Sequence, residues 1–457
     1  VVPVPVVLRQ RDVKVLPASI FERVDALAAP RLVEYWEQDP CRFAKKFGDE
    51  EGNYRDFTAV VDLVPTASRD RSVTVEAAFT VGEYEIVILS AEDSLGLDAW
   101  LRGNGYKIPA GAAEALRPYV HQGMKFFVAK VDVDKVKRDA GGRVTLSPLR
   151  FHYDSPIFSL PVRLGLLNSA GAQDLIIHVL SREGRYQVAN YENVTIPTNL
   201  DVRDPVRHDF GRFYAALFDQ VLAEHPHAVV TEYAWSAASC DPCPVEPLDI
   251  HELTTLGLDV LPSLRRWFAR PRSSFEASAI SSRMVLTRMH ARYRAERLGE
   301  DLVFQTATPI FGGRETYGRA GRVERGAQSS AGANNFFQAR YVIRHAWEGP
   351  IECKAPLRGS WGAPPGGVAP PLPSASAKAL AFAERGAPLD AYLAESTIAA
   401  HADLLRKRPV EPPKADDEPA PFADTRGCRV DGSGARDRAA LALLLLTALR
   451  RRKAGDA

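Results

Sequence analysis

Residues 84–90 are Tyr-Glu-Ile-Val-Ile-Leu-Ser, a nearly continuous apolar run that predicts a buried β-strand. Ser94 follows as a candidate helix N-cap, and the apolar residues after it recur at helical spacing until a pair of glycines ends the pattern. A second short helix is predicted over 112–121, and alternation over 125–133 predicts another strand. This strand–helix–helix–strand unit indicates a protein that mixes helices and strands.

The remaining patterned segments extend this mixture. Strands are predicted over 143–149, 160–166, 174–180, 186–191, 228–235, 283–293, 302–305 and 338–343, and a helix is predicted from Asp209 to about Glu224. Gly184 lies between the third and fourth of these strands, so the two are expected to form a hairpin. The predicted fold class is α+β, with a mixed and mainly antiparallel sheet and short helices, followed by a disordered linker and a C-terminal hydrophobic helix.

The composition divides the chain into three parts. A globular body is predicted for residues 1–355, and any subdivision of it is expected near 260–275. Residues 356–427 are rich in Pro, Gly and Ala and are interpreted as a linker, with helical propensity over 375–408. Residues 428–457 form a separate tail.

Charge excludes some classes of partner. The chain has 457 residues, 46% of them hydrophobic and 25% charged, which is the balance of a soluble globular protein. The net charge of +1 provides no global field to attract nucleic acid. Nine arginines fall within 264–298, but glutamates interleave with them and no aromatic platform accompanies them. A solvated sheet face is therefore favoured there, and no nucleic-acid partner is expected.

The tail carries information about location. Cys428 precedes a polar stretch, an apolar run over 439–449 and the basic cluster Arg450–Lys453. Eleven helical residues span about 16 Å, roughly half of a hydrocarbon core of about 30 Å, so a permanent anchor is not expected. The basic end fits the cytoplasmic side of a membrane, which places the body outside the cytoplasm. The residues assigned to this membrane tail are Ala439, Leu441, Leu443, Leu444, Leu445, Leu446, Leu449, Arg450, Arg451 and Arg452.

The same tail is similar to the carboxy-terminal sorting tails of myxobacterial surface proteins, called MYXO-CTERM, which combine a cysteine, a hydrophobic helix and an arginine cluster. Cys428 and Arg450–Lys453 occupy the matching positions. The resemblance implies cleavage near Cys428 by an intramembrane sorting protease, with lipid attachment at that cysteine. Charged residues at Arg436–Arg438 shorten the insertable stretch and depart from the pattern. A fortuitous C-terminal helix is the alternative interpretation.

Four cysteines of the body are disulfide candidates: Cys41, Cys240, Cys243 and Cys353. Three pairings are open, and an oxidising envelope compartment favours disulfides. Cys240-Asp241-Pro242-Cys243 is compatible with a redox active site if a helix begins at Cys240, because a helix N-terminus lowers a thiol pKa. Pro242 and the prolines after it favour an irregular loop with a structural disulfide instead. No second ligand pair at zinc spacing is visible, so no metal and no cofactor are predicted.

Several long strings of the chain point to a family. They are Val1–Val6, Ala29–Cys41, Ile88–Pro109, Gly123–Val131, Leu146–Asp154, Tyr191–Leu200 and Thr231–Pro244, and more weakly Asp301–Gly313 and Ile351–Gly362. Together they resemble a bacterial family known only as a domain of unknown function, DUF2330, over most of residues 1–362. The resemblance implies export with a signal peptide and a cysteine-bearing segment after it, and it supplies no catalytic residues. The strand-like start at Val1 is accordingly interpreted as a fragment that begins inside a domain, with removal of a leader as the alternative.

These features predict an exported protein of the cell envelope or outer surface, anchored to the membrane at least transiently, with a non-catalytic binding, adhesion or scaffolding role. The expected partners are the membrane through the tail, the sorting protease, and an envelope protein or glycan. Trp347 and Trp361 could mark that last contact, but packing in the core is the favoured interpretation for both. No catalytic residues are assigned. The alternative function is an envelope enzyme, with thiol–disulfide exchange through Cys240 and Cys243 as its most specific form.

Overall fold

The structure of the chain is a computed structural model and describes residues 1–41, 73–136, 146–167, 171–182, 184–268, 273–293, 300–314, 324–367, 373–400 and 441–445. Within them the strands are β1 Val2–Val4, β2 Val13–Val15, β3 Arg31–Glu37, β4 Val73–Val81, β5 Tyr84–Ala91, β6 Lys125–Val131, β7 Leu149–Phe151, β8 Ser159–Leu160, β9 Gln173–Ser181, β10 Tyr186–Val188, β11 Asn193–Thr195, β12 Leu200–Asp201, β13 Val229–Ser236, β14 Val285–Tyr293, β15 Leu302–Thr306, β16 Ile310–Gly312, β17 Gln328–Ser329, β18 Phe336–Gln338, β19 Arg340–His345, β20 Trp361–Gly362 and β21 Leu441–Leu445. The helices are α1 Ala18–Ala28, α2 Ser94–Gly103, α3 Ala112–His121, α4 Arg163–Leu166, α5 Phe210–Glu224, α6 Ile250–Leu256, α7 Arg265–Phe268, α8 Ser274–Ser281, α9 Ala377–Phe382 and α10 Glu395–Ala400.

The predicted strand–helix–helix–strand unit is confirmed. Its strands β5 and β6 are antiparallel neighbours in a four-stranded sheet of order β1-β6-β5-β4. Helices α2 and α3 cover one face of this sheet and bury Leu97 and Leu116 there. The N-cap of α2 is Asp93 rather than Ser94, because the Asp93 carboxylate accepts a hydrogen bond from the Gly96 N–H at 2.6 Å.

An eight-stranded sheet forms the centre of the fold. Its main path runs β17-β16-β18-β13-β14-β9-β21, with β11 added beside β13. The strands predicted over 174–180, 228–235 and 283–293 are confirmed as β9, β13 and β14, which pair antiparallel. One face is covered by a three-stranded sheet of order β10-β15-β8, and the other by α1 and α5. The α+β fold class with mainly antiparallel strands follows from this arrangement.

Helix α5 joins the central sheet to a second four-stranded sheet of order β12-β19-β3-β20. Phe213 and Leu217 on its apolar stripe are fully buried in one cluster with Ala234 of β13 and Tyr341 of β19. Strand β19 follows β18 after one residue and pairs parallel with β3. The chain therefore passes directly from the central sheet into this second sheet.

Two predictions about local structure are wrong. The expected hairpin over 174–191 does not form, because β10 pairs with β15 of the covering sheet rather than with β9. The strand predicted over 160–166 is limited to Ser159–Leu160, and Arg163–Leu166 is helical. Pro161 follows β8 directly and has no N–H to continue the ladder.

Part of the segment predicted to be a linker packs against the body. Trp361–Gly362 form β20 on the edge of β3, although the Pro- and Gly-rich sequence predicted no ladder there. Ala375, Leu380 and Leu393 are buried in the α5 cluster. The helix expected over 375–408 is present as two short helices, α9 and α10. Residues 401–427 lie outside the described part of the chain.

The tail is described only at Leu441–Leu445. These residues form β21, which pairs antiparallel with the outer edge of β9, where the sequence predicted a helix. Cys428, Ala439, Leu446, Leu449 and the arginine cluster lie outside the described residues. In the described residues, no helix combines the length and the apolar composition needed to cross a membrane.

Candidate functional site

A loop of irregular structure, residues 346–360, is fastened to the end of β3 and is named the anchored loop here. Its main attachment point is Glu37, a nearly buried carboxylate at the end of β3. Glu37 accepts hydrogen bonds from the backbone N–H groups of Trp347 at 3.0 Å and Gly359 at 2.7 Å. Arg358 donates from Nε at 2.9 Å and from Nη2 at 2.8 Å. Because these backbone donors and the guanidinium favour the charged form, they lower the pKa of Glu37.

A disulfide fastens the same loop at its middle. Cys353 is bonded to Cys41, which lies four residues after Glu37. Their Cα–Cα distance is 5.6 Å, and they are 312 positions apart in the sequence. The Leu357 N–H donates to the Pro40 carbonyl at 2.9 Å on the far side of this bond. The loop is therefore held to one strand end at both flanks and at its centre.

A stacked pair of rings lies beside the loop. Trp36 and His345 stack with ring centroids 4.6 Å apart and an interplanar angle of 16°. His345 Nε2 lies 2.8 Å from Glu34 Oε2, and Arg207 forms a bidentate pair with the same carboxylate at 2.7 and 2.6 Å. Glu34 is buried, whereas the Arg207 and His345 side chains are about one-third and one-quarter exposed, at 31% and 26%. This ion pair fixes the orientation of the two rings.

The other two tryptophans of this region also belong to the loop and its margin. Arg344 Cζ lies 5.0 Å from the Trp361 ring centroid, a cation–π contact, and Arg344 Nε donates to Asp201 at 2.9 Å. Trp347 and Trp361 are half-buried, so neither belongs to the core. Ile351 and Leu357 project from the loop and are 44% and 66% exposed. The anchored loop thus presents apolar side chains to solvent on a fixed backbone.

A second concentration of charge lies between the central sheet and its helices. Arg288 of β14 donates from Nε to Glu232 Oε2 at 2.6 Å and also pairs with Asp25 of α1. Its Nη2 donates to the Ala375 carbonyl at 3.0 Å, and His290 Nδ1 lies 2.8 Å from Glu232 Oε1. Arg288, Glu232 and His290 are fully buried. The solvated face expected for this strand is therefore wrong at Arg288.

Further contacts connect this buried network to α5 and to the segment after residue 373. The Tyr214 hydroxyl donates to Glu232, and His290 Nε2 lies 3.2 Å from Asp174. Arg385 bridges Asp174 at 3.1 Å and Asp219 at 2.6 Å. The network joins α1, α5, three central strands and the last packed segment of the body.

The pKa directions in this network are those of fixed ion pairs. Burial by itself raises the pKa of Glu232, but the charges of Arg288 and His290 lower it to about 2. Burial opposes protonation of His290, yet Glu232 and Asp174 raise its pKa above the ordinary histidine value. Both shifts favour the charged form of the group, and the ion pairs hold the layers together.

A small cleft lies near one edge of the network. This cleft, lined by Tyr191, His227, Arg292 and Tyr293 among others, has a volume of about 10 Å³, which is room for one water molecule. No group of three His, Cys, Asp or Glu side chains is arranged as metal ligands in the part of the chain described. The sequence analysis missed this network, although Glu232 is the one charged residue of the apolar strand β13, which is a signal for buried pairing.

The other two cysteines form a bond of their own. Cys240 and Cys243 are joined with a Cα–Cα distance of 4.9 Å, in a loop that follows β13. No helix begins at Cys240, and the next helix, α6, starts at Ile250 with Asp249 as its N-cap. The helix that a thioredoxin-like active site requires is thus not at this position. Cys243 is exposed, and Cys240 is half-buried.

The family model described as "Uncharacterized protein conserved in bacteria (DUF2330)" matches residues 1–305, two thirds of the chain. That span includes Cys41, the buried network up to His290, and the Cys240–Cys243 loop. The anchored loop lies beyond it. No curated protein and no solved structure matches the chain.

Proposed function

From the premise that this chain belongs to the DUF2330 family of uncharacterised bacterial proteins, we propose that it is an exported protein of the cell envelope that acts by binding, adhesion or scaffolding. The observation that carries the proposal is the anchored loop, which Cys353 fastens to Cys41 at the end of β3. Disulfides of this kind persist in oxidising compartments outside the cytoplasm. The bond therefore supports export, and the loop it holds supplies a contact surface.

The anchored loop suits binding better than chemistry. Glu37, the buried carboxylate to which the loop is attached, already accepts four hydrogen bonds, so it has no lone pair directed at a substrate. Ile351 and Leu357 are exposed on a backbone that is fixed before any partner arrives. Such preorganisation reduces the entropy lost on binding. The partner class that fits exposed aliphatic side chains beside half-buried tryptophans is an envelope protein, and a glycan is the other outcome for the test below.

Attachment to the envelope is assigned to the tail. Residues 428–457 would hold the body at the membrane until a sorting protease cleaves near Cys428, with lipid attached at that cysteine. The support is the order of cysteine, apolar run and arginine cluster in the sequence. The basic cluster favours the cytoplasmic side, which leaves the body outside.

Intact-mass analysis of the protein recovered from its native envelope tests location. We expect the tail after Cys428 to be absent, a lipid to be present on Cys428, and Cys41 and Cys353 to react with an alkylating reagent only after reduction. Recovery from the cytosol with Ala457 in place and reactive thiols at Cys41 and Cys353 would overturn the proposal.

Co-sedimentation with two separate probes, purified murein sacculi and envelope membranes stripped of sacculi, tests binding. Leu357→Asp should weaken pelleting with one probe about tenfold, as expected when a contact residue is lost. Leu95→Asp is the matched control, because Leu95 is also an exposed leucine, at 71% against 66% for Leu357, and lies on α2 outside the anchored loop. Equal effects of the two substitutions would remove the loop as the contact surface.

A further inference from the structure

We infer that the Cys240–Cys243 disulfide is a thiol-exchange site that reacts with dithiols of other envelope proteins, whereas Cys41–Cys353 is a fixed structural bond. This inference is independent of the binding role proposed for the anchored loop. It rests on three features of the Cys240–Cys243 loop: access to one sulfur, the short span that the bond closes, and a buried cation beneath it.

Access differs between the two disulfides. Cys243 is exposed, whereas Cys41 and Cys353 are both half-buried. The exposed sulfur lies in an irregular stretch between β13 and α6, where an incoming thiolate meets no regular secondary structure. Exchange requires the attacking thiolate to reach a disulfide sulfur, so access favours reaction at Cys243.

The spans closed by the two bonds also differ. Cys41 and Cys353 are separated by 312 positions in the sequence, and Cys240 and Cys243 by three. A cross-link stabilises a fold mainly in proportion to the logarithm of the loop it closes, so opening the short one sacrifices less of the folded state. The fold can therefore tolerate a reduced Cys240–Cys243 pair.

The cation is Arg31, the first residue of β3. Its side chain is fully buried, and its Nη1 donates to the carbonyl oxygen of Pro242, between the two cysteines, at 2.6 Å. Its other described hydrogen-bond partners are also neutral: the Leu27 carbonyl at 2.5 Å and the side-chain amide of Gln338. Burial lowers the pKa of Arg31 to about 10, and the charges of Arg340 and Arg288 act in the same direction. Asp241 opposes this shift, but no carboxylate among the described residues forms an ion pair with Arg31. A thiolate formed in this loop would supply the missing counter-charge.

Two further groups lie near the loop: Tyr233, which has a hydroxyl free to donate, and Arg314, which is already paired. The Tyr233 hydroxyl is fully buried near Arg31 and has no hydrogen-bond partner in the described residues. On the solvent side, Arg314 pairs with Asp241 and lies over the Trp235 ring, with Cζ 5.8 Å from the centroid. Because Asp241 offsets the charge of Arg314, the positive charge that acts on the loop is that of Arg31 below it. It takes the place of the helix N-terminus that lowers thiol pKa values in other proteins.

The exchange balances as follows. A thiolate of the partner attacks Sγ of Cys243 and a mixed disulfide forms. The bond to Cys240 breaks, and its electron pair stays on Cys240 as a thiolate in the loop whose Pro242 carbonyl Arg31 contacts. The partner's second thiol then loses its proton, and the thiolate attacks the partner's first sulfur, which is bonded to Cys243 in the mixed disulfide. Cys243 then departs as a thiolate and takes up a proton. The partner has lost two electrons and two protons as it forms a disulfide. Cys243 has become a thiol and Cys240 a thiolate, and the second proton passes to solvent.

The first test compares the two bonds within one wild-type molecule. The oxidised full-length chain is treated with dithiothreitol, samples are alkylated at intervals, and each cysteine peptide is quantified by mass. We expect Cys240 and Cys243 to become reactive at least about tenfold faster than Cys41 and Cys353. Equal rates, or faster opening of Cys41–Cys353, would overturn the inference. The comparison needs no substitution, so it does not depend on a variant that folds.

The second test measures the role of Arg31. In the double variant Cys243→Ser/Cys428→Ser, the thiol that titrates at 240 nm is Cys240, and we expect its pKa to lie below the ordinary value of about 8.5. Adding Arg31→Met should raise it by roughly one unit, and adding Arg31→Lys should leave it low because the charge is kept. Circular dichroism and the intact Cys41–Cys353 bond report correct folding. A pKa of 8.5 or higher in the double variant would contradict the inference.

Discussion

Arg288 on β14 donates to Glu232 on the adjacent strand β13 at 2.6 Å, and neither side chain has any exposure to solvent. Asp25 of α1 pairs with the other end of the same guanidinium. Charges buried this deeply are tolerated only when each has partners, because transfer out of water is strongly unfavourable. The pair therefore fixes how α1 is placed on the central sheet.

The first prediction follows from this pair. Arg288→Met leaves Glu232 and Asp25 buried with one partner fewer each, and we expect the free energy of unfolding to fall by about 3–5 kcal/mol. Urea unfolding followed by tryptophan fluorescence measures the change. Arg102→Met is the control: Arg102 pairs with Asp98 at 2.7 Å on the surface of α2, and such a pair contributes less than about 1 kcal/mol. Similar decreases in the free energy of unfolding of the two variants would show that the buried pair stabilises the fold no more than the surface pair does.

The second prediction concerns acid. His178 is fully buried on β9, and neither ring nitrogen has a hydrogen-bond partner among the described residues. Burial, with a smaller effect of Arg288, lowers its pKa to about 4 from an ordinary value of about 6.5. Between these two values the unfolded chain binds the proton and the folded chain does not. Stability from His178 is therefore present above pH 6.5 and is lost as the pH falls toward 4.

The measurement is urea unfolding of wild type and His178→Leu at pH 7 and pH 5. Between pH 7 and pH 5, protonation of this histidine in the unfolded chain should lower the free energy of unfolding of wild type by about 2 kcal/mol. The substitution His178→Leu should abolish this decrease. His227→Leu removes an exposed histidine and should leave the pH dependence of wild type unchanged. If the free energy of unfolding of His178→Leu fell as steeply with pH as that of wild type, protonation of His178 would not be the cause of the decrease.

The third prediction compares the two disulfides as stabilising bonds. Cys41→Ser/Cys353→Ser opens a link across 312 positions, and we expect the free energy of unfolding to fall by about 3–5 kcal/mol. Cys240→Ser/Cys243→Ser opens a link across three positions and should lower it by no more than about 2 kcal/mol. Both variants keep two cysteines of the body and differ in the bond removed. A larger effect from the short link would contradict the division into structural and exchangeable bonds.

The sequence predicted the elements whose pattern is local. The boundaries of α3 and the strands β5, β6 and β9 follow from apolar periodicity within each segment, and the structure confirms them to within a few residues. What the pattern did not predict is pairing between distant segments. Strand β3 lies against β19, about 300 residues later, and β20 forms in a Pro- and Gly-rich stretch. Periodicity within a segment carries no information about its partner.

The candidate sites were also predictable only in part from the sequence. The four cysteines of the body could be named from composition, but three pairings were open, because the choice depends on where β3 and the anchored loop meet in space. Glu37, Arg31 and Arg288 were missed for a related reason. A charged residue in a strand predicts a solvent-facing position, and only the packing of helices and loops over the sheet shows that these side chains are buried.

The fourth prediction concerns Gly313. It precedes Arg314, the residue that pairs with Asp241 of the Cys240–Cys243 loop. The φ of Gly313 is +85°, and a Cβ built there would lie 1.7 Å from the backbone carbonyl oxygen of Gln338. Neither strand can move aside without breaking the β16–β18 pairing. Gly105 has a similar φ of +78°, but a Cβ there meets no atom within 4 Å. The two glycines thus separate backbone strain from steric overlap.

Gly105→Ala should lower the free energy of unfolding by about 1–2 kcal/mol, which is the penalty of a left-handed conformation for a residue with a Cβ. Gly313→Ala adds overlap with a fixed carbonyl, and we expect a total of about 3–5 kcal/mol in urea unfolding. Equal stability of the two alanine variants would mean that the strand end at Gln338 yields, and that the close approach of β16 and β18 is not a rigid feature of the sheet.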